Sequence, residues 1–364
     1  MSDVLGSALE LLTERVGDRA AEWDRTGLLP VEVLRELGAR GVLCAQVSTS
    51  DGGLGLSSVE NGELTAHLGT LCGSTRSVAT SHGMAAWVVT RLGSRRQRAE
   101  FLPRLTSGEL AAVAFSESGA GSDLSSMTTE IRRDGDDVVV SGEKVWITVA
   151  AYADLVVVFG KFGEGAGAVV VPTTAEGVHV ERIAEPLGCR AAGHAVVRLD
   201  EVRLPADHLL SGAGMSLGLL VTSALTYGRL SIAWGCVGML RTCLREATEH
   251  ARSRTQFGVP LAEHQLVAGH LADLLIAEQV ATRMCEHAAR CWDDGTPELV
   301  TASVLAKHVA ATNAARGAAT AVQVLGSAGA TDTHPVARAY RDAKLMEIIE
   351  GSNEISRLLL AGAA

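Results

Sequence analysis

The hydrophobic period of this 364-residue chain changes twice, and that constrains its fold more than any single motif does. From Leu5 to about Gly108 apolar residues recur at helical spacing, as in "GSALELLTERVGDRAAEWDRTG" and "PVEVLRELGARGVL", with Gly and Pro between the segments. From about Ala111 the pattern turns into short β-rich runs, "AAVAFSE", "DDVVVSGEKVWITV", "ADLVVVFGK", "AGAVVVPTT" and "HAVVRLDEVRLP". Asp134-Gly135 and the stretch from Gly163 to Gly167 punctuate them as turns. From about Gly214 helical spacing returns in three long stretches, each long enough for a bundle helix. The expected class is α+β, with a helical domain over 1–110, a β domain over 111–210 and a helical bundle over 211–364.

Hydrophobic residues make up 47% of the chain and aromatics only 4%, so its interior must be filled mainly by Ala, Val, Leu and Gly. A net charge of -10 argues against a nucleic-acid partner, which needs a basic surface. One segment departs from this balance: "RLGSRRQRAEFLPRL" gathers Arg91, Arg95, Arg96, Arg98 and Arg104. It reads either as a solvated helix face or as a docking patch for an acidic partner or a phosphate-bearing substrate arm. Seven cysteines, an odd number without a C-x-x-C pair, look like small apolar residues in a reducing compartment. The N-terminus has no basic n-region, and the most apolar long window, Met215 to Trp234, carries Arg229. The expectation is a cytoplasmic protein with neither a membrane nor a nucleic-acid partner.

Several short segments have the residue types that chemistry needs. In "KLMEIIEGSNEISRLLLAG", Leu345, Ile348 and Ile349 form an apolar helical face, and Gly351 followed by Ser352-Asn353 reads as a helix stop and a new N-cap. Glu350 is then expected to end a helix, where the dipole disfavours its charge by up to ~1 kcal/mol. It reads either as a solvated terminal glutamate or as a base whose pKa is lifted. "AFSESGAGSDLSS" offers glycines for close backbone approach and hydroxyls for a phosphate, or it is only a loop. In "GEKVWITVAA", Trp146 is either strand core or a flavin-stacking group with Thr148 beside it. Arg254 in "RSRTQFG" suits a phosphate fork or is an ordinary helix-terminal arginine, and the turn after Gln323 in "QVLGSAGATD" offers backbone N–H groups or is a glycine helix cap. Neither G-x-G-x-x-G nor a P-loop is present, the histidines show no metal-ligand spacing and there is no G-x-S-x-G. An organic cofactor is the expectation, and no metal.

Taken in order, "SESGAGSD", "GEKVWIT", "LGCRAAGHAVVRLDEVRLP", "RTQFG", "LAEHQ", "QVLGSAGATD" and "IIEGSNEI" resemble the acyl-CoA dehydrogenase family over nearly the whole chain. The resemblance implies an N-terminal helical domain, a middle β-barrel-like domain and a C-terminal four-helix bundle, with FAD between the last two and across a subunit interface. It implies that Phe115, Ser116, Gly121, Ser122, Trp146 and Thr148 hold the flavin ring and pyrophosphate. Arg254, Phe257, Gln265, Gln323 and Gly326 would hold the FAD of a neighbouring subunit, and Ser352 and Glu354 would face the adenine-side phosphates. Glu350 falls on the family's catalytic base, with Thr226, Arg229 and Gly351 on the substrate side. The family often has Asp or Asn where this chain has Thr226, a departure beside the thioester arm.

The Arg- and Ala-rich, nearly Lys-free composition is also similar to acyl-CoA dehydrogenase-like enzymes of polyketide clusters, the branch making hydroxymalonyl and methoxymalonyl extender units on acyl carrier protein. The expected activity is FAD-dependent oxidation of a small acyl thioester on acyl carrier protein or CoA, in a homodimer or homotetramer. The alternatives are an ordinary short-chain acyl-CoA dehydrogenase serving an electron-transfer flavoprotein, an enzyme that passes electrons to O2, and a non-catalytic homologue that binds a partner.

Overall fold

The computed structural model describes residues 2–363. Six helices come first: α1 (Asp3–Arg15), α2 (Ala20–Thr26), α3 (Val31–Ala39), α4 (Ser58–Leu71), α5 (Gly73–Leu92) and α6 (Arg95–Thr106). Their starts are written locally: Ser57 with Glu60, and Ser94 with Gln97, close capping boxes at α4 and α6. Helix α5 is buried along most of its length and packs against both the sheet and the C-terminal helices.

Seven strands follow: β1 (Ala111–Ala114), β2 (Glu130–Asp134), β3 (Asp137–Ile147), β4 (Leu155–Phe162), β5 (Gly165–Pro172), β6 (Val178–Arg182) and β7 (Ala195–Pro205). They form one curled sheet in the order β1-β4-β2-β3-β7-β6, with β5 added on β4. Strand β1 runs parallel to β4, and the pairs β2–β3, β3–β7, β4–β5 and β6–β7 are antiparallel. Alternation along the strands divides their side chains between two cores. Val156, Val158, Val169 and Val171 join the cluster that includes the first helices, whereas Leu155, Val157, Phe159 and Val170 join the cluster around α5 and α6. With both faces covered, β4 and β5 read as near-continuous apolar runs.

The last part holds α7 (Leu217–Ser253), the hairpin β8 (Thr255–Gln256) and β9 (Val259–Pro260), α8 (Gln265–Asp293), α9 (Leu299–Leu325), α10 (Pro335–Met346) and α11 (Asn353–Ala361). Helices α7, α8 and α9 pack on one another through buried alanines, among them Ala247, Ala281, Ala288, Ala306, Ala310 and Ala314. Small side chains let these backbones approach closely, so few aromatics are needed to fill the interior. All seven cysteines are buried and free. No helix of the described residues is long and apolar enough to cross a membrane.

Candidate active site

The segment between α10 and α11 is the centre of the site. Helix α10 ends at Met346, so the expected helix end at Glu350 is not observed. Two left-handed residues follow one another instead, Glu350 (φ 55°) and Gly351 (φ 89°), before Ser352 caps α11 through the Ile355 N–H. For a glutamate that backbone costs on the order of 1 kcal/mol and persists only where its surroundings enforce it. The helix-dipole explanation of a raised pKa therefore falls.

Burial takes its place. Oε2 of Glu350 is shut off from solvent and has no hydrogen-bond partner. Its carboxyl is pushed above the ordinary carboxylate range by burial, against the opposing charges of Arg229, Lys307 and Arg76. Neither Arg229 nor Lys307 gives its hydrogen bond to the carboxylate. Arg229 Nε donates to the main-chain oxygen of Glu350 (3.2 Å), and Lys307 Nζ donates to that of Gly351 (2.7 Å).

Glu350, Gly351 and Arg229 line a cavity of about 370 Å³ together with Phe115, Ser116 and Ser122. Gly121 lines it too, and a Cβ built on Gly119 or Gly121 would meet nothing within 4 Å, so the loop borders open space. Thr226 lies outside this cavity, in an adjoining one of about 510 Å³ that shares Thr222 and Val300 with it. The Thr226 hydroxyl donates to the Thr222 carbonyl (2.7 Å), within its own helix.

A buried ion pair ties the two β-domain motifs together. Lys144 Nζ contacts Glu117 Oε1 (2.8 Å) and the Phe115 carbonyl (3.0 Å). Glu117 also accepts from the Thr128 N–H and hydroxyl and from the Thr129 N–H. Burial works against its charge, but Lys144 and the threonine donors outweigh burial and hold the carboxyl down at about 2. Farther along β3, Trp146 is 55% exposed with φ 60°, at a break in register with β7. The core alternative for this tryptophan is not what the structure shows. Thr148 lies just past the strand, with Oγ1 3.3 Å from His194 Nδ1. His194 Nε2 is buried without a partner, and burial, with help from Arg182 and Arg76, pulls this imidazole down to about 4. An outward apolar ring beside a buried nitrogen without a partner is not accounted for by the packing of this subunit alone.

The remaining expected residues lie apart from the cavity. Arg254 follows α7, and Phe257 sits at the tip of the β8–β9 hairpin, 96% exposed at φ 53°. Gln265, Gln323, Gly326 and Glu354 are also exposed. Within one subunit these groups do not meet Glu350. His194, Lys307, Arg76 and the Lys144–Glu117 pair escaped notice in the sequence. Lys307 left a trace there, as a cation in the Ala-rich run "SVLAKHVAATNAA". Among the described residues one potential metal-ligand trio occurs, His287, Cys291 and Glu298, without a fourth protein ligand.

Fold and site define a flavoenzyme of one class, and the chain belongs to the acyl-CoA dehydrogenase family. The family's N-terminal domain matches residues 3–109, its middle domain 112–202 and its C-terminal domain 218–364. The human mitochondrial short-chain specific acyl-CoA dehydrogenase is 31% identical over 350 residues, covering 94% of this chain and 84% of the human one. FkbI, a solved structure described as serving biosynthesis of the methoxymalonyl extender unit of the polyketide Fk520, is 61% identical with TM-score 0.94, covering 98% of each chain. A glutaryl-CoA dehydrogenase from Mycobacterium smegmatis, solved in complex with FADH2, is 28% identical with TM-score 0.93, covering 99% of this chain and 93% of that one. Members of the family are FAD-dependent oxidoreductases acting on acyl thioesters. The open glycine loop, the outward Trp146 and the unpaired His194 nitrogen fit such a cofactor.

Proposed function

We propose that this enzyme oxidises a three-carbon hydroxyacyl unit held as a thioester on an acyl carrier protein, in making a methoxymalonyl-type polyketide extender unit. The carrying observation is the 61% identity, over 98% of both chains, with FkbI. Glu350 takes one proton from the substrate, and Arg229 and Gly351 border the acyl group, with Thr226 on the path of its arm. The chemistry that bound FAD would supply is acceptance of a hydride from the carbon being oxidised, with an electron-transfer flavoprotein or another external acceptor to take up the electron pair. Phe115, Ser116, Gly121, Ser122, Trp146 and Thr148 hold the flavin ring and pyrophosphate, and Ser352 and Glu354 lie toward the adenine-side phosphates.

Arg254, Phe257, Gln265, Gln323 and Gly326 reach the FAD of a second subunit in a homodimer or homotetramer. The exposed apolar side chains of Phe257 and Leu266 support that role, since stability of a lone subunit gives no reason for them. Seven buried, unlinked cysteines are in keeping with a cytoplasmic enzyme.

Anaerobic titration of the flavin band tests the substrate. Bleaching by a glyceryl-type thioester on carrier protein, and not by butyryl-CoA, supports the proposal. Bleaching by butyryl-CoA alone gives the ordinary short-chain activity that the 31% identity with the human enzyme favours.

A further inference from the structure

We propose that Lys307 is a positioning residue that, with Arg229, clamps the main chain of the 350–351 turn so that the Glu350 carboxylate is held at the cavity wall without a competing donor. This rests on the reading of Glu350 as the base.

Lys307 lies on α9 and is 0% exposed, on a helix whose other buried residues are mostly alanines. Among the described residues no carboxylate stands within ion-pair distance of it, and its hydrogen bond goes to the Gly351 carbonyl. A methionine there would fill similar space without the cost of burying an ammonium, so packing does not account for the charge. That cost is visible in the group itself, whose pKa burial lowers to about 8.

The turn has a need that the cation meets. Glu350 and Gly351 are both left-handed, and their carbonyls are held by cations from two helices, Arg229 on α7 and Lys307 on α9. Two consecutive carbonyls fixed from two sides leave little freedom in the direction of the Glu350 side chain. Because the cations bind carbonyls, the carboxylate keeps Oε2 without a competing donor. Their charges still act through space. Arg76 from α5, Arg229 from α7 and Lys307 from α9 oppose the effect of burial on Glu350. Glu347, on the same turn, is occupied by Lys344 (2.9 Å) and Asn353 (3.1 Å). Lys307 therefore supplies both direction and charge.

The test uses flavin-loaded Lys307→Met, Lys307→Arg and Glu350→Gln enzymes, each reduced anaerobically by the substrate that bleaches the wild type. Lys307→Met is expected to keep its flavin, to reduce it about 100-fold more slowly, and to show the acid limb of the pH–rate profile moved to higher pH. Lys307→Arg should recover part of the rate. A residue that only supported the fold would lower the melting temperature and leave the acid limb in place. If Lys307→Met shows the wild-type rate and limb while Glu350→Gln is inactive, the clamp is wrong although the base is right. If Glu350→Gln keeps the wild-type rate, the base assignment fails and takes the clamp's purpose with it. Should Lys307→Met not load flavin, Lys307→Gln, which keeps a donor but not the charge, decides: a slower rate with the acid limb at higher pH supports the proposal, and an unchanged rate and limb overturn it.

Discussion

Gly228 on α7 lies directly against the Glu350 carboxylate: a Cβ at that position would stand 2.6 Å from Oε2 and 3.2 Å from the Met84 sulfur. The helix next to the cavity therefore lacks a side chain where the Glu350 carboxylate sits. Gly228→Ala is expected to push the carboxylate aside rather than unfold the helix, since alanine is the better helix former. Stopped-flow measurement should show flavin reduction slowed about 100-fold, with flavin content unchanged.

Glu350→Gln separates chemistry from stability. The folded-state pKa of Glu350 is raised by burial, so its protonated form favours folding at low pH, and that contribution is lost as pH rises through the raised value. A glutamine cannot ionise. The variant should lose flavin reduction and yet melt higher than wild type at neutral pH, by on the order of 1–2 °C, with the gain disappearing near pH 4. Paired calorimetric scans at the two pH values measure it. In the wild type, reduction rate should rise with pH through an apparent pKa above the ordinary carboxylate range, because only the ionised base accepts the proton.

The Lys144–Glu117 pair predicts an acid-sensitive cofactor site. Glu117 is held at about 2 against an ordinary 4.5, so its stabilisation is complete above pH 4.5 and declines as pH falls toward 2. Removing one partner leaves the other charge buried. Glu117→Gln or Lys144→Met should cost about 3–5 kcal/mol of stability and release flavin, read from denaturant melts and the bound-flavin ratio.

What the sequence disclosed follows from how local each signal is. The helical and β segments were legible because their apolar periods are set within each element, as in β4 and β5, where every interior valine is buried. Glu350 was found as a candidate, but its reason was misread. The left-handed turn depends on Arg229 and Lys307, residues 121 and 44 positions away, and no local rule places them there. His194 was hidden for the same reason, since its partner Thr148 lies 46 positions earlier. Trp146 looked like strand core because the strand pattern does not reveal the break in register that turns it outward.

Helix α6 carries the remaining prediction. Its first residues include Arg95, Arg96 and Arg98 with no acidic residue in the first turn, at the positive end of the helix dipole, where each cation costs a few tenths of a kcal/mol up to ~1. Arg96 is paired with Asp207 (2.6 Å) and Arg104 with Glu109 (2.7 Å), whereas Arg95 and Arg98 have no ion pair among the described residues. Arg98 packs beside Gly93, and Gly93 with Arg91 lines the cavity that joins the Glu350 site at Thr222 and Val300. Arg91 thus borders the adjoining cavity, with Arg98 next to it across Gly93, and on the proposed function an acidic carrier protein would rest against this helix while its arm enters. Reversing Arg95 and Arg98 to Glu should stabilise α6, because the new charges suit the dipole, so misfolding would not explain a loss of activity. KM for the carrier-bound substrate should rise about tenfold and become less dependent on salt, as expected for a surface that steers association. KM for the same acyl group on a short pantetheine arm should stay as it was. Equal KM for carrier-bound substrate in wild type and variant would mean that the carrier docks elsewhere.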